Sequence, residues 1–181
     1  MATAYIALLR GINVGGAKLV AMSDLRDLCG GLGFEGATTL LQSGNLLFRC
    51  KPVAAARLER QLERGIAGEI GVECNVVVRS AKEWQQLVDA NPFREEARRD
   101  PGHLLAMVLK QPPDAKAVKK LQEGIPGREI VSAGTRHLYI VYPDGVGRSK
   151  LTHTFIEKLL GTRGTARNWN TVLRVAAAVV E

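Results

Sequence analysis

Three polar segments of the sequence carry side chains that could bind an anion or support a reaction. The first, RGINVGG, places Arg10 and Asn13 beside the adjacent glycines Gly15 and Gly16. Successive glycines allow backbone N–H groups to converge on an anion. The spacing matches neither the dinucleotide-binding fingerprint nor the Walker pattern. The segment therefore indicates either an anion site of another kind or a tight, irregular loop in which Arg10 pairs with a carboxylate.

The second segment, QSGN, places Gln42, Ser43 and Asn45 around a turn. Asn is an ordinary turn residue that hydrogen-bonds its own backbone, so the segment taken alone predicts a hairpin. Binding gains weight as a hypothesis only if this turn lies beside another polar loop.

The third segment, TARNWNTV, precedes the apolar end of the chain. Thr165 or Asn168 can cap a final helix. Arg167 and Asn170 have no such explanation, because Asn is a poor helix former unless its side chain gains a hydrogen bond. These two residues either brace another loop or face a ligand.

A further cluster, Arg148, Ser149 and Lys150, follows two glycines and precedes an expected helix. Backbone N–H groups, the helix dipole and two cations would together form a phosphate site. The alternative is a solvated cap in which Ser149 bonds to the first turn of the helix.

The familiar catalytic and metal-binding patterns are missing from the sequence. There is no HExxH, no DxD and no paired-carboxylate motif, so we expect neither a metal nor a cofactor. Cys29, Cys50 and Cys74 are widely spaced and form no CxxC pattern. This usage is typical of reduced thiols and indicates a cytoplasmic protein.

The composition is that of an ordinary globular protein, with 46% apolar and 24% charged residues among 181. The net charge of +7 favours anionic partners such as a phosphorylated small molecule or nucleic acid, although a basic composition also arises without any such partner. The longest apolar run, VLRVAAAVV, contains Arg174 and is too short to span a membrane, so we expect no membrane partner.

The first half of the chain reads as strand, helix, strand, strand, helix, strand. That order is the split βαβ pattern of a ferredoxin-like domain, which we place over residues 1–79. In such a domain the first two strands run parallel, with the third between them and antiparallel to both. The RGINVGG loop and the QSGN turn then leave the same edge of the sheet, so we expect them to be neighbours.

The second half reads as a helix at Ser80, with Glu83 in capping-box position, followed by strand, helix, strand, strand and helix. The last strand of the repeat is missing from this reading, and NWNTVLRVAAAVV is read as a helix. We therefore predict an α+β protein by internal duplication, in which residues 80–181 form a divergent, incomplete second copy that ends in a helix.

Six motifs carry a family resemblance: ALLRGINVGG, GFEGATTLLQSGNLLF, VVVRSAKEW, NPF, YPDGVGRSKL and TARNWNTVLRV. With these motifs in this order, the sequence resembles the bacterial domain of unknown function family 1697 over nearly its whole length. The resemblance implies an α+β fold of ferredoxin-like character. It implies no catalytic residue, because no activity is established for the family.

Three hypotheses for the function follow. The first is a binding module for a phosphate-bearing anion, a nucleotide or nucleic acid, at a polar rim formed by RGINVGG, QSGN and RNWNTV. The second is a small cofactor-independent enzyme that uses the same Arg and Asn cluster, since these side chains can stabilise an oxyanion. The third is a structural or oligomer-forming protein in which the motifs are internal braces. The sequence leaves turnover and the oligomeric state open.

Overall fold

The computed structural model describes residues 1–180, with Val180 described by its backbone alone. The chain divides into two compact units. The first unit contains Met1–Gln85 together with the end of the chain from Val175, and the second contains Gln86–Arg174.

The first unit is built on a four-stranded antiparallel sheet. Its elements in chain order are β1 Thr3–Leu9, α1 Met22–Gly31, β2 Glu35–Leu40, β3 Asn45–Cys50, α2 Ala55–Gly65, β4 Val76–Ser80 and the first part of α3 Ala81–Asp89, which ends in the second unit. The order of the strands in the sheet is β2-β3-β1-β4, and α2 continues into one π-helical turn, Ile66–Ile70.

The strand directions in this sheet confirm the predicted geometry. Strand β3 pairs antiparallel with both β1 and β2, so β1 and β2 run parallel on either side of it. Their carboxyl ends therefore lie at one edge of the sheet. At that edge the backbone N–H of Leu9, the last residue of β1, donates to the carbonyl oxygen of Gly44 in the turn after β2, at 2.9 Å.

The core of the first unit lies between the sheet and helices α1 and α2. Their apolar residues recur at helical spacing, so each helix turns one stripe toward the strands. Burial of each large apolar side chain stabilises the fold by about 1.5–3 kcal/mol. The buried residues include Ala7, Leu9, Leu46, Phe48, Val76 and Val78 from the strands and Leu25, Leu28, Leu58 and Leu62 from the helices.

The second unit contains a second four-stranded antiparallel sheet. Its elements in chain order are α4 Arg94–Arg99, β5 Leu104–Leu109, α5 Ala115–Glu123, β6 Ile130–Ala133, β7 His137–Val141, α6 His153–Leu160, β8 Gly164–Asn168 and the first part of α7 Trp169–Val180, which ends in the first unit. The order of the strands in the sheet is β6-β7-β5-β8, and a short 3₁₀ turn, Val146–Arg148, precedes α6.

The second half of the chain is not incomplete, which corrects the sequence prediction. Its final strand is β8, which pairs with β5 from Gly164 opposite Leu109 to Asn168 opposite Leu105. No turn residue separates β8 from α7, so the sequence shows no break between strand and helix. The predicted C-terminal helix itself is confirmed, and the α+β class is confirmed with two sheets of matching strand order.

The two units share a detail beyond strand order. In each, a helix glutamate accepts a hydrogen bond from the first N–H of an outer strand, where no neighbouring strand can do so. Glu63 of α2 accepts from Val76 N at 2.9 Å, and Glu157 of α6 accepts from Gly164 N at 2.9 Å. These matched bonds support the predicted internal duplication, which stays a prediction.

Candidate functional site

Asn13 holds together the two loops at the carboxyl ends of β1 and β2. Its Nδ2 donates to Gln42 O at 2.8 Å and to Val20 O at 3.0 Å, and its Oδ1 accepts from Val20 N at 2.8 Å. We call residues 10–20 and 41–45 the loop edge. The expected proximity of RGINVGG and QSGN is thereby observed. Because both amide hydrogens bond to backbone, Asn13 acts as a brace within the loop edge.

Asn45, the first residue of β3, has a similar role. Its side chain is fully buried, with 0% exposed. Nδ2 donates to Leu40 O at 2.8 Å and to Ser43 Oγ at 3.1 Å, which closes the turn between β2 and β3. For this residue as well, the structure favours the bracing interpretation over direct ligand contact.

Gly15 and Gly16 form the tip of a small hairpin within the first loop. Their φ angles are +60° and +76°, and Ala17 N donates to Val14 O across them at 3.2 Å. Two consecutive left-handed residues form the turn that matches strand twist, and glycine adopts that backbone without strain. A Cβ at either position would meet nothing within 4 Å, so conformation alone explains the glycines.

Backbone strain is concentrated at the loop edge. Within residues 1–180, the non-glycine residues with positive φ are Asn13, Lys18 and Leu41, at 54°, 49° and 61°. Lys18 and Leu41 each cost about 1–2 kcal/mol relative to a right-handed conformation, whereas Asn adopts a left-handed backbone more readily. Strain of this kind persists where surrounding structure enforces it, and it clusters at binding sites and switch regions.

The loop edge is both cationic and apolar at its surface. Residues 10–20 and 41–45 include Arg10 and Lys18 but no Asp or Glu. Lys18 is exposed, and its Nζ donates to Glu73 O at 2.8 Å. Gln42 and Ser43 are also exposed. Three large apolar side chains stand out of the same loops: Val14 at 67% exposure, Leu19 at 69% and Leu41 at 44%.

The RNWNTV segment spans the junction of β8 and α7 in the second unit. Arg167 is buried in β8, where its guanidinium donates to Thr165 Oγ1 at 2.9 Å and Ala166 O at 2.8 Å. Burial lowers the pKa of Arg167 to about 10, so the group remains charged at neutral pH. Asn168 Oδ1 accepts from Thr171 N at 3.0 Å and caps α7, as predicted. Asn170 is exposed in the first turn.

Trp169 is buried, and its ring centroid lies 6.3 Å from that of Tyr139.

The predicted site residues lie in both units. The first unit contains Arg10, Asn13, Gln42, Ser43 and Asn45, and the second contains Arg167 and Asn170. A common rim that joins the two groups stays a prediction.

The cluster Arg148, Ser149 and Lys150 does not form the start of a helix. Helix α6 begins at His153, and Thr152 caps it by accepting from Phe155 N at 3.2 Å. Ser149 Oγ instead donates to the Glu129 carboxylate and accepts from Leu151 N at 2.9 Å. The helix dipole is therefore directed at Thr152, one turn from where the sequence placed it, and anion binding by the three residues stays a prediction.

Asp144 provides negative charge near Arg148, one residue of this cluster. Arg128, which pairs with it, holds the pKa of Asp144 below its ordinary value, and Arg148 contributes in the same direction. Part of the cationic character that the sequence assigned to an anion site is thus used within the protein.

Sequence reasoning missed Lys18 and Leu41. Neither residue type favours a left-handed backbone, so nothing in the sequence marks these positions as strained. Both residues lie in the loops that the Asn13 side chain joins. The sequence contains one weak indication of an apolar surface here, since Val14 and Leu19 are large apolar residues close to the glycine pair of a loop.

The fold and the loop edge together define an α+β protein with two sheets of the same order and a braced, cationic pair of loops. The chain belongs to the family described as "Protein of unknown function (DUF1697)", whose profile matches residues 2–139. Among curated proteins, none matches the chain. Within residues 1–180, none of the helices combines the length and apolarity needed to cross a membrane.

One similar solved structure is a conserved bacterial protein, SP0830, from Streptococcus pneumoniae. The two share 21% sequence identity, and the match covers 99% of each chain with a TM-score of 0.76. Likeness at this identity concerns the fold, and it carries no statement about a ligand or a reaction.

Proposed function

We propose that this protein is a binding module that recognises a phosphate-bearing anion, a nucleotide or a nucleic-acid segment, through the loop edge of its first unit. The observation that carries the proposal is the left-handed backbone strain of Lys18 and Leu41 in two loops that the Asn13 side chain ties together. A loop braced in a strained conformation is organised before the ligand arrives, which reduces the entropy cost of binding.

The charge of the loop edge supports an anionic ligand. Arg10 and Lys18 lie in loops without a carboxylate, in a chain of net charge +7. A phosphate would meet Lys18, the Gln42 amide and the exposed backbone of the glycine pair, while Leu19 and Leu41 offer apolar contact to a base or sugar. Asn13 and Asn45 set the shape of this surface from below.

The enzyme hypothesis has less support. It requires the Asn side chains to stabilise charge on a reacting substrate. The Nδ2 groups of Asn13 and Asn45 instead donate to backbone and hydroxyl oxygens of the loop edge and of the adjacent Leu40. The bracing hypothesis fits these two residues, and it is compatible with binding by their exposed neighbours.

A titration followed by ¹H–¹⁵N correlation spectra tests the proposal. The ligands are a panel of nucleoside mono-, di- and triphosphates and a single-stranded oligonucleotide. We expect shifts confined to residues 10–20 and 41–45, and an affinity that falls steeply as salt rises. The absence of shifts in these loops at millimolar ligand would overturn the proposal.

The variant Lys18→Asn removes the cation but keeps a residue that tolerates a left-handed backbone. Arg60→Ala is the matched control, because Arg60 is an exposed cation of the same unit on α2. Lys18→Asn should weaken binding several-fold and reduce the salt dependence. An equal loss in Arg60→Ala would show that net charge alone attracts the ligand.

A further inference from the structure

A groove between α5 and α6 in the second unit combines an apolar floor with cationic rims. Its volume is about 490 Å³. Ala117 and Leu159 form the floor and pack on the core beneath, while Phe155 remains 41% exposed beside them. The groove is lined by Lys116, Ala117, Lys120, Phe155, Lys158 and Leu159.

The three lysines of the groove are not neutralised by acidic side chains. Among the described residues, Lys116, Lys120 and Lys158 make no ion pair, whereas Lys119, also on α5, lies 3.8 Å from the Glu123 carboxylate. No carboxylate lines the groove. Positive charge is therefore concentrated over apolar surface, an arrangement that attracts a partner with both acidic and apolar groups.

We propose that the groove binds an amphipathic helix of a partner protein, with apolar residues one turn apart and acidic residues on either side. The lining residues extend over about one turn of each helix, 116–120 on α5 and 155–159 on α6, so the groove matches two apolar side chains that lie one turn apart on a partner helix. The apolar side chains of the partner pack on Ala117, Phe155 and Leu159, in the mode of a helix bound in a groove. Its Asp or Glu side chains pair with the lysines.

Nucleic acid is a poorer occupant of this groove. Phosphates would use the lysines but would leave Ala117 and Leu159 without a contact, and the rims lack the arginine fork that binds phosphate in two-point fashion. An acidic helix satisfies the charge and the apolar floor together. The proposal concerns the second unit and does not depend on the function proposed for the loop edge.

Peptide binding to the full chain tests the inference. The probe is a synthetic helical peptide of about four turns, with Leu at i and i+4 and Glu on its flanks. We expect saturable fluorescence anisotropy, weakening with salt, and ¹H–¹⁵N shifts in Ala115–Glu123 and His153–Leu160. A shuffled peptide of the same composition and a peptide with Lys in place of Glu should not bind.

Phe155→Ala should lower the affinity for the peptide about tenfold, as expected for an exposed aromatic anchor. The double variant Lys116→Ala/Lys120→Ala should give a similar loss at low salt, and Lys119→Ala is the matched control that leaves affinity unchanged. Thermal unfolding verifies that each variant is folded.

Three results would overturn the inference. The first is no binding at millimolar peptide, and the second is equal binding of the shuffled peptide. The third is shifts in α5 and α6 with single-stranded DNA or anionic vesicles but none with the acidic peptide. Lys18→Asn should leave peptide affinity unchanged, so failure here is distinguishable from failure at the loop edge.

Discussion

The side-chain amide of Asn13 donates to the carbonyl oxygen of Gln42 at 2.8 Å, across 29 positions of the sequence. This bond joins the loops that follow two parallel strands, and the same amide also closes its own loop on Val20. The two strands bring the loops close together, and the side chain of Asn13 fixes their relative position.

Asn13→Ala should lower the free energy of unfolding by about 2–3 kcal/mol, because it removes the bonds to Val20 and Gln42 and leaves alanine at a positive φ. Asn13→Gly removes the same bonds without the backbone strain, so its loss should be smaller, about 1–2 kcal/mol. Urea denaturation of both variants measures the difference. Wild-type stability in Asn13→Ala would contradict the bracing role.

Leu41→Gly should make the protein more stable by about 0.5–1 kcal/mol, since relief of the left-handed strain exceeds the added entropy of the unfolded chain. The same change should lower the affinity for the proposed ligand, because it removes an exposed apolar contact. Thermal melting and the nucleotide titration are compared on the same samples. A fall in melting temperature would show that Leu41 contributes packing that outweighs its strain.

Glu157→Ala should destabilise the protein by about 2–3 kcal/mol, because it leaves the buried N–H of Gly164 without its acceptor. Glu123→Ala serves as the control: its carboxylate pairs with Lys119 on the surface, so the expected change is within about 0.5 kcal/mol. Denaturant midpoints compare the two. Equal effects would mean that the bond at the start of β8 contributes no more than a surface pair.

Cys29 predicts a pH dependence of stability. Burial raises the pKa of its thiol from 9.0 to about 12. The folded state therefore holds a proton that the unfolded state releases, so the stabilising contribution is present in full below about pH 9 and is lost as pH rises toward 12. Cys29→Ala should show a shallower decline of unfolding free energy between pH 8 and about pH 10. If the unfolding free energy of Cys29→Ala declined with pH as steeply as that of the wild type, the raised pKa of the Cys29 thiol would be contradicted.

Strand direction allowed much of the loop edge to be predicted from sequence. The order of strands and helices in residues 1–79 placed RGINVGG beside QSGN, and the bond from Asn13 to Gln42 bears this out. The capping box was equally readable, since Ser80 N donates to Glu83 Oε2 at 2.8 Å and Glu83 N donates to Ser80 Oγ at 3.2 Å. Both features depend on local chemistry and on a fixed topology.

Other features were set by tertiary structure. Ser23 has the residue type of an N-cap, yet α1 begins at Met22 and its N-cap position is Ala21, which has no side-chain cap. Strand β8 was hidden because it passes directly into α7 without Gly or Pro between them. Helical periodicity predicts the exposed face of α5 and the exposed face of α6 separately. It does not predict how the two helices lie against each other, and the groove between them depends on that arrangement.

The hairpin tip at Gly15 and Gly16 is exposed, and its base is closed by the bond from Asn13 N to Lys18 O at 3.1 Å. Chain added between the two glycines has open space to occupy, and the base below it isolates the sheet from whatever is grafted there. This position is therefore a natural attachment point for a reporter dye or an epitope tag, placed at the rim that the proposed ligand would approach.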